Sequence, residues 1–289
     1  MNCSDLTLRP GDKVALAACS DGLSPDGWEK VKALTAVLAG MGLDPIVSNC
    51  LCAEHGPFNG TGAQRAEALM AFYADPSVKA IFDISGGDAA NGVIEYLDFE
   101  FIRSHPKPFF GYSDLTCVLN ALYSQAGAVS YLFQAQTLVW ENGPLQQEHF
   151  YRTFFRKERD LFDVSWRFLQ GEHMEGILLG GNVRCLLKLA GTPYWPDLSN
   201  KLLFLESLGG GPARIDAYFR QLEQMGAFTQ AAGVLLGTFT ELAKTPGAPK
   251  AEELLLHVLH GRTLPVAVTD EVGHANTSKC LPIGRAYTL

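Results

Sequence analysis

Short apolar runs alternate with segments of helical periodicity along the first 130 residues. Strands are predicted at residues 13–18, 44–48 and 78–84, where short hydrophobic runs end in turn-forming residues. Helices are predicted at residues 25–41, 62–74 and 89–97, where apolar side chains recur every three or four positions. Strands that alternate with helices are typical of a parallel sheet, so we expect an α/β fold.

The same alternation returns in the second half, after a less regular stretch at residues 135–170 that is rich in aromatic and charged side chains. Strands are predicted at residues 176–180, 201–206, 232–237 and 264–268. A helix over residues 212–226 would bury one face that contains Ile215, Phe219 and Leu222. The pattern predicts two α/β domains, at residues 1–140 and 171–289, joined by a linker at residues 141–170.

Composition and charge narrow the class of protein. The chain has 289 residues, 47% of them hydrophobic and 19% charged, as in an ordinary globular protein. Its 23 basic and 31 acidic side chains give a net charge of −8, which argues against a nucleic-acid partner. No apolar run is long enough to span a membrane, and the opening residues lack the basic and apolar regions of a signal peptide. We therefore expect a cytoplasmic protein with no membrane partner.

The seven cysteines give no clear metal site. None forms a C-x-x-C pair, and Cys50, Cys52 and His55 make at most a fragment of a zinc site, without a fourth ligand. Reduced thiols are expected, and neither a metal nor a cofactor is predicted.

Residues 108–123 place a serine between an apolar approach and a helix. Gly111 allows a sharp turn, and apolar residues then recur at helical spacing: Leu115, Val118, Leu119 and Leu122. A hydroxyl at that turn lies where free backbone N–H groups and the helix dipole favour a developing negative charge. Ser113 is therefore a candidate nucleophile for acyl transfer. The alternative is that Ser113 or Asp114 only caps the helix.

Two further candidates follow predicted strands. Glu206 ends the run at residues 201–206 beside a glycine-rich loop, where ligands of open α/β sheets bind. His274 follows the run at residues 264–268, and imidazole has the pKa of a general base at neutral pH. The alternatives are a carboxylate that caps the helix near Pro212 and an ordinary loop histidine. Ser113, Glu206 and His274 together supply the nucleophile, orienting acid and base of a triad.

A glycine pair completes this set. Gly86 and Gly87 follow the strand at residues 78–84, where backbone N–H groups can turn towards a ligand. A phosphate loop is the competing interpretation, but the G-x-x-x-x-G-K-[ST] pattern is absent. An oxyanion hole fits the glycine pair better.

With these residues in view, the chain resembles the LD-carboxypeptidase family of serine peptidases, which includes the microcin C immunity proteins. The resemblance spans nearly the whole chain in the family's order, and the block from Pro106-Lys-Pro to Gly111-Tyr-Ser-Asp is its most specific part. Other matching segments are Arg9-Pro-Gly-Asp-Lys-Val-Ala, Ser85-Gly-Gly-Asp, Gly176-Ile-Leu-Leu-Gly-Gly-Asn, Leu203-Phe-Leu-Glu and Leu281-Pro-Ile-Gly.

The resemblance implies roles for individual residues. Ser113 matches the family's nucleophile, Glu206 its triad acid and His274 its base. The N–H of Asp114 and one N–H of the Gly86-Gly87 turn match its oxyanion hole. It also implies a flavodoxin-like N-terminal domain, a smaller C-terminal domain, an active site between them, no metal and a homodimer.

The implied function is a serine carboxypeptidase of peptidoglycan recycling that cleaves an L,D-amide bond at the end of a muropeptide. Alternatives are a microcin C-like peptidyl-nucleotide amide hydrolase and a non-catalytic binder that retains the fold. Arg214, which follows the Gly-Gly-Gly-Pro turn, is the candidate for binding the terminal carboxylate, the alternative being a surface arginine.

The chain also departs from the family pattern. Ser85-Gly-Gly-Asp-Ala replaces the usual Arg-Gly-Gly-Tyr-Gly, and Glu206 is followed by Ser207 instead of Asp. Residues 130–136 replace a Gly-Pro found about twenty residues after the nucleophile. These changes spare the triad and lie on the substrate side, so they bear on specificity.

Overall fold

The computed structural model describes residues 6–53 and 56–289. The strands are β1 Lys13–Ala17, β2 Asp44–Val47, β3 Val78–Asp83, β4 Phe109–Gly111, β5 Ser130–Leu132, β6 Arg167–Gln170, β7 Glu175–Asn182, β8 Lys201–Ser207, β9 Gly233–Phe239, β10 Val266–Val268, β11 Leu281–Ile283 and β12 Ala286–Thr288. The α-helices are α1 Pro25–Gly40, α2 Gly62–Ala74, α3 Phe99–Ser104, α4 Thr116–Ala126, α5 Gly143–Arg156, α6 Val183–Leu187, α7 Pro212–Gln224, α8 Ala227–Gln230, α9 Thr240–Ala243 and α10 Ala251–Leu259. Short 3₁₀ helices span Ala90–Tyr96, Ser113–Leu115 and Ala135–Val139.

The first sheet has the strand order β11-β5-β4-β3-β1-β2. Its strands pair in parallel except β11, which runs antiparallel to β5. The order 2-1-3-4-5 of the parallel strands is that of flavodoxin-like folds, in which ligands bind beyond the carboxyl ends of the strands. The predicted fold class of the N-terminal domain is confirmed.

The second sheet has the order β12-β7-β8-β9-β10-β6, with four parallel central strands and an antiparallel strand at each edge. The central strands are the predicted apolar runs, and β7 and β8 are buried along most of their length. Helix α7 buries Ile215, Phe219 and Leu222, as its periodicity predicts. The two-domain α/β architecture is therefore confirmed.

The structure differs from the predicted linker at residues 141–170. Helix α5 occupies residues 143–156, and its Phe150 and Phe154 are fully buried. The Phe150 ring centroid lies 5.8 Å from that of Phe82 in β3, and the Phe154 centroid lies 5.4 Å from that of Phe110 in β4. The aromatic residues of this stretch thus cover the first sheet. The exact domain boundaries stay a prediction.

Strand β11 was not predicted. It follows the strands of the second sheet along the chain and pairs with β5 of the first sheet. The segment between β10 and β11, which contains His274, therefore crosses from one sheet to the other. Among the helices of the described residues, none has the length and apolar character needed to span a bilayer.

Candidate active site

Ser113 lies in a strained turn at the carboxyl end of β4. Its backbone φ is +53°, a left-handed conformation that is uncommon for a residue other than glycine and clusters at functional sites. Gly111 permits the turn, because a Cβ atom there would lie 2.7 Å from Cβ of Leu115. Neither Ser113 nor Asp114 caps the following helix with its side chain. The capping interpretation is therefore wrong, and the Ser113 hydroxyl is left for other chemistry.

Glu206 and His274 form a buried pair. Glu206 ends its apolar run in β8 and has no exposed surface, and its Oε2 lies 2.7 Å from Nδ1 of His274. A carboxylate only accepts hydrogen bonds, so Nδ1 carries the proton and Nε2 is the basic nitrogen. The second carboxylate oxygen, Oε1, accepts a hydrogen bond of 3.0 Å from Nδ2 of Asn182 at the end of β7. Glu206 therefore orients the imidazole instead of capping α7.

Tyr112, which directly precedes Ser113, packs against the imidazole of His274. Its ring meets that of His274 edge-on, with centroids 4.9 Å apart and an angle of 69°. Burial, together with the negative charge of Glu206, raises the pKa of Tyr112 well above its ordinary value, so the phenol stays neutral. Nε2 of His274 is buried and has no hydrogen-bond partner among the described residues. A base with this geometry is ready to accept a proton from a nearby donor.

One cavity of about 210 Å³ brings the candidate residues of both domains together. Ser113, His274, Gly86 and Gly87 all line it. The other lining residues are Tyr112, Gln134, Thr137, Trp140, Leu208, Gly273, Ala275 and Ser278. No Arg or Lys side chain is among the described residues that line this cavity. The space around the serine is therefore mainly apolar, with a few polar groups.

Hydrogen bonds to Asp21 fix the glycine turn at residues 86–88. Oδ1 of Asp21 accepts hydrogen bonds of 3.0 Å from the N–H of Asp88 and 3.1 Å from that of Ala89. Gly87 has a φ of +125°, which favours glycine, and a Cβ atom there would lie 2.2 Å from the Asp21 carboxyl carbon. The turn thus has one well-defined shape next to Ser113.

Asp114 is fully buried and directly follows Ser113, the candidate nucleophile. Its Oδ2 accepts hydrogen bonds of 2.7 Å from Oγ of Ser20 and 2.8 Å from the N–H of Ala90. Its Oδ1 forms an ion pair with Nζ of Lys188. The contact with Ala90 joins residues 111–114, named here the nucleophile turn after its candidate nucleophile, to the segment that follows the glycine turn.

Arg214 lies apart from this cluster. It is exposed in the first turn of α7 and does not line the cavity around Ser113. Asp216, the nearby carboxylate two residues further along α7, pairs with Arg220 and not with Arg214. A role for Arg214 in binding a carboxylate stays a prediction.

No metal centre is evident in the part of the chain that the structure describes. No group of three or more His, Cys, Asp or Glu side chains there is arranged to hold a metal ion. His55 of the cysteine-rich fragment lies outside the described residues.

Sequence reasoning missed two side chains of this site. Asn182 ends an apolar strand beside Gly180 and Gly181, so the strand-end rule that points to Glu206 would also have selected it. Tyr112 directly precedes the serine, but its contact with His274 depends on a residue more than 150 positions away and leaves no local signal.

Comparisons with known proteins find similarity over both domains of the chain. Residues 14–132 match the family model of the LD-carboxypeptidase N-terminal domain, and residues 175–289 match that of its C-terminal domain. A Bacillus subtilis protein named as a probable murein peptide carboxypeptidase is 30% identical, over 98% of this chain and 90% of its own. A Streptomyces coelicolor protein named as a carboxypeptidase is 33% identical, over 96% of this chain and 90% of its own.

A solved structure of the microcin immunity protein MccF with glutamyl sulfamoyl guanosine has the same fold. It superposes with a TM-score of 0.87 at 20% identity, covering 98% of this chain and 95% of that chain.

Proposed function

The chain belongs to the LD-carboxypeptidase family, and from that membership we propose that it is a serine hydrolase with Ser113, His274 and Glu206 as its triad. The observation that carries the proposal is the buried Glu206–His274 pair, whose free Nε2 lines the same cavity as the strained Ser113. A hydroxyl, a base and an orienting carboxylate in this order are sufficient for acyl transfer.

In the proposed reaction, Oγ of Ser113 attacks the carbonyl carbon of the substrate amide while Nε2 of His274 takes the hydroxyl proton. Glu206 stabilises the imidazolium that forms. The negative oxygen of the tetrahedral intermediate accepts hydrogen bonds from the N–H of Asp114 and from an N–H of the Gly86-Gly87 turn. His274 then gives its proton to the leaving amine, the C–N bond breaks, and an acyl-enzyme remains.

Water completes the cycle. His274 takes a proton from the water molecule, the resulting hydroxide attacks the acyl carbon, and Oγ of Ser113 leaves with the proton returned by His274. The carboxylate product departs and the serine is regenerated. No step requires a metal, because the base activates the nucleophile.

We propose a muropeptide as the substrate, cleaved at an L,D-amide bond before its terminal residue. The 30% identity to a protein named as a probable murein peptide carboxypeptidase supports this choice. A cavity of about 210 Å³ is smaller than the pockets that hold drug-sized ligands, so its size matches a single residue of a peptide. We propose that the protein acts as a homodimer in the cytoplasm, in peptidoglycan recycling.

A peptidyl-nucleotide amide is the second candidate substrate. The apolar cavity has no Arg or Lys among the described residues that line it, so no side-chain cation there is available to a terminal carboxylate. Such a lining suits an internal amide better than a free acid.

The test is a panel of muropeptides and aminoacyl-nucleotide amides incubated with the purified protein and followed by mass spectrometry. We expect loss of the terminal D-residue from a tetrapeptide, and covalent labelling of Ser113 by a fluorophosphonate. Ser113→Ala should abolish both while the protein stays folded. Cleavage by Ser113→Ala above a few per cent of wild type would refute the nucleophile, and a folded wild-type protein that is not labelled would favour a non-catalytic binder.

A further inference from the structure

Two cations of the C-terminal domain reach the loops of the proposed active site. They are Arg184 of α6 and Lys188, the residue at which α6 ends. Nη2 of Arg184 donates a hydrogen bond of 3.0 Å to the carbonyl oxygen of Gly87, and Nη1 pairs with the carboxylate of Asp88. Nζ of Lys188 donates a hydrogen bond of 2.7 Å to the carbonyl oxygen of Asp88. Two side chains of the C-terminal domain thus bind the glycine turn of the N-terminal domain.

Lys188 also reaches the nucleophile turn through its ion pair with Asp114. One ammonium group therefore bridges the two loops that supply the proposed oxyanion donors. The side chain of Lys188 is only 17% exposed and that of Asp114 is not exposed at all, so solvent screens this pair weakly.

The charge of Asp114 matters for the proposed reaction because of its position. Its carboxylate belongs to the same residue as the backbone N–H that is to stabilise the oxyanion. A buried negative charge so close to a developing negative charge opposes the transition state unless a cation offsets it. Lys188 is the cation in direct contact with this carboxylate.

We propose that Lys188, assisted by Arg184, is a positioning residue for acyl transfer: it locks the glycine turn against the nucleophile turn and offsets the charge of Asp114. This inference rests on the proposed function. It also gives a role to Asp88, because its carboxylate pairs with Arg184 and its carbonyl oxygen accepts a hydrogen bond from Lys188.

The test uses the rate at which a fluorophosphonate labels Ser113, which requires no knowledge of the natural substrate. In that step Oγ of Ser113 bonds to phosphorus, the P–F bond breaks, fluoride leaves and the serine proton passes to His274. The phosphoryl oxygen takes the place of the oxyanion. The labelling rate therefore reports on the nucleophile and on the oxyanion hole, while thermal unfolding reports separately on the fold.

Three variants separate positioning from stability. Lys188→Gln removes the cation but leaves the oxyanion donors in place, so it should slow labelling about 30-fold, less than the roughly 100- to 1,000-fold cost of losing a donor outright. In the double variant Asp114→Asn/Lys188→Gln, the amide introduced at position 188 can accept from the new asparagine and donate to the carbonyl of Asp88. The double variant, with this neutral pair, should therefore be labelled about tenfold faster than Lys188→Gln. Lys32→Gln, which breaks an exposed ion pair with Glu29, is the matched control and should label at the wild-type rate.

Arg184→Gln keeps the inference testable if Lys188→Gln does not fold. It breaks contacts of side chains that are 40% and 73% exposed, so folding should be retained, and labelling should slow about fivefold.

Three results would overturn the inference. The first is labelling of Lys188→Gln within threefold of wild type, even with a lowered melting temperature, since that is the mark of a merely structural ion pair. The second is a double variant as slow as Lys188→Gln, which would exclude charge compensation. The third is Arg184→Gln labelled at the wild-type rate. A folded wild-type protein that is not labelled would refute the proposed nucleophile itself, whatever the variants do.

Discussion

Replacing Gly87 with alanine tests whether the glycine turn supplies part of the oxyanion hole. The new Cβ atom would lie 2.2 Å from the carboxyl carbon and from Oδ2 of Asp21, so the carboxylate must move by about an ångström. Its hydrogen bonds to the N–H groups of Asp88 and Ala89 would then be lost. Two such bonds at about 1 kcal/mol each, with about 1–3 kcal/mol for an alanine in this backbone conformation, predict about 3–5 kcal/mol of lost stability.

Activity should fall further than stability alone explains. A displaced turn carries its N–H groups away from the oxyanion, and losing one such donor costs about 100- to 1,000-fold in kcat. The measurements are the melting temperature, the denaturant midpoint, and kcat with KM on whichever substrate the panel identifies. The assay is run well below the lowered melting temperature, so that the folded variant is compared with folded wild type.

Gly86→Ala is the matched control. A Cβ atom at Gly86 would meet no atom within 4 Å, and no positive φ is imposed there, so stability should change by less than about 0.5 kcal/mol. Because Gly86 lines the cavity, its methyl group should raise KM more than it lowers kcat. A Gly87→Ala variant that loses stability but keeps kcat within threefold would refute the glycine turn as an oxyanion donor. Equal stability of the two variants would refute the steric argument.

Three further predictions test the chemistry, the specificity and the electrostatics. EDTA should leave activity unchanged because a base activates the serine, and a loss restored by zinc would refute this mechanism. Arg214→Lys should raise KM with little change in kcat on a free-acid substrate, and blocking the terminal carboxylate as an amide should remove the difference. If both proteins cleave the amide as fast as the acid, carboxylate recognition fails. Hydrogen bonds from Arg262 lower the pKa of Glu223 below its ordinary value of 4.5. The pair therefore stabilises the native state above pH 4.5, and its contribution is lost as the pH falls through the lowered pKa. Glu223→Gln should therefore lower the free energy of unfolding by about 0.5–1 kcal/mol at pH 7. Urea titrations should show that this difference shrinks below pH 4.5, and a difference that does not change with pH would contradict the argument.

The seven predicted strands, β1–β3 and β7–β10, follow from local patterns in the sequence. Parallel strands buried on both faces form near-continuous apolar runs, such as Leu202–Leu205 in β8, and these are visible without any structure. Helix α5 was missed for the opposite reason. Its charged residues face outwards while Phe150 and Phe154 cover the first sheet, so the segment reads as a polar connection until the sheet is present.

The three residues of the proposed triad could be predicted from their residue types and from their positions at the ends of predicted strands. Glu206 lies at the carboxyl end of a strand and Ser113 and His274 each follow one, and the structure places Glu206 and His274 in contact. The left-handed conformation of Ser113 has no signature in the local sequence, and the bridge from Lys188 to Asp114 depends on packing between the domains. Strand β11 pairs with residues about 150 positions earlier, and no local periodicity encodes such a distant partner.

The crossing of the chain at β11 affects when the enzyme can become active during synthesis. His274 is carried on a segment anchored at one end by β10 and at the other by β11, and β11 covers the edge of β5. A nascent chain that stops short of residue 281 has its serine but leaves β5 as an open sheet edge, and its histidine is not yet anchored. We therefore expect the proposed hydrolase to gain activity only after β11 has been synthesised and has paired with β5, and the two halves expressed as separate fragments would each lack a part that only the other supplies.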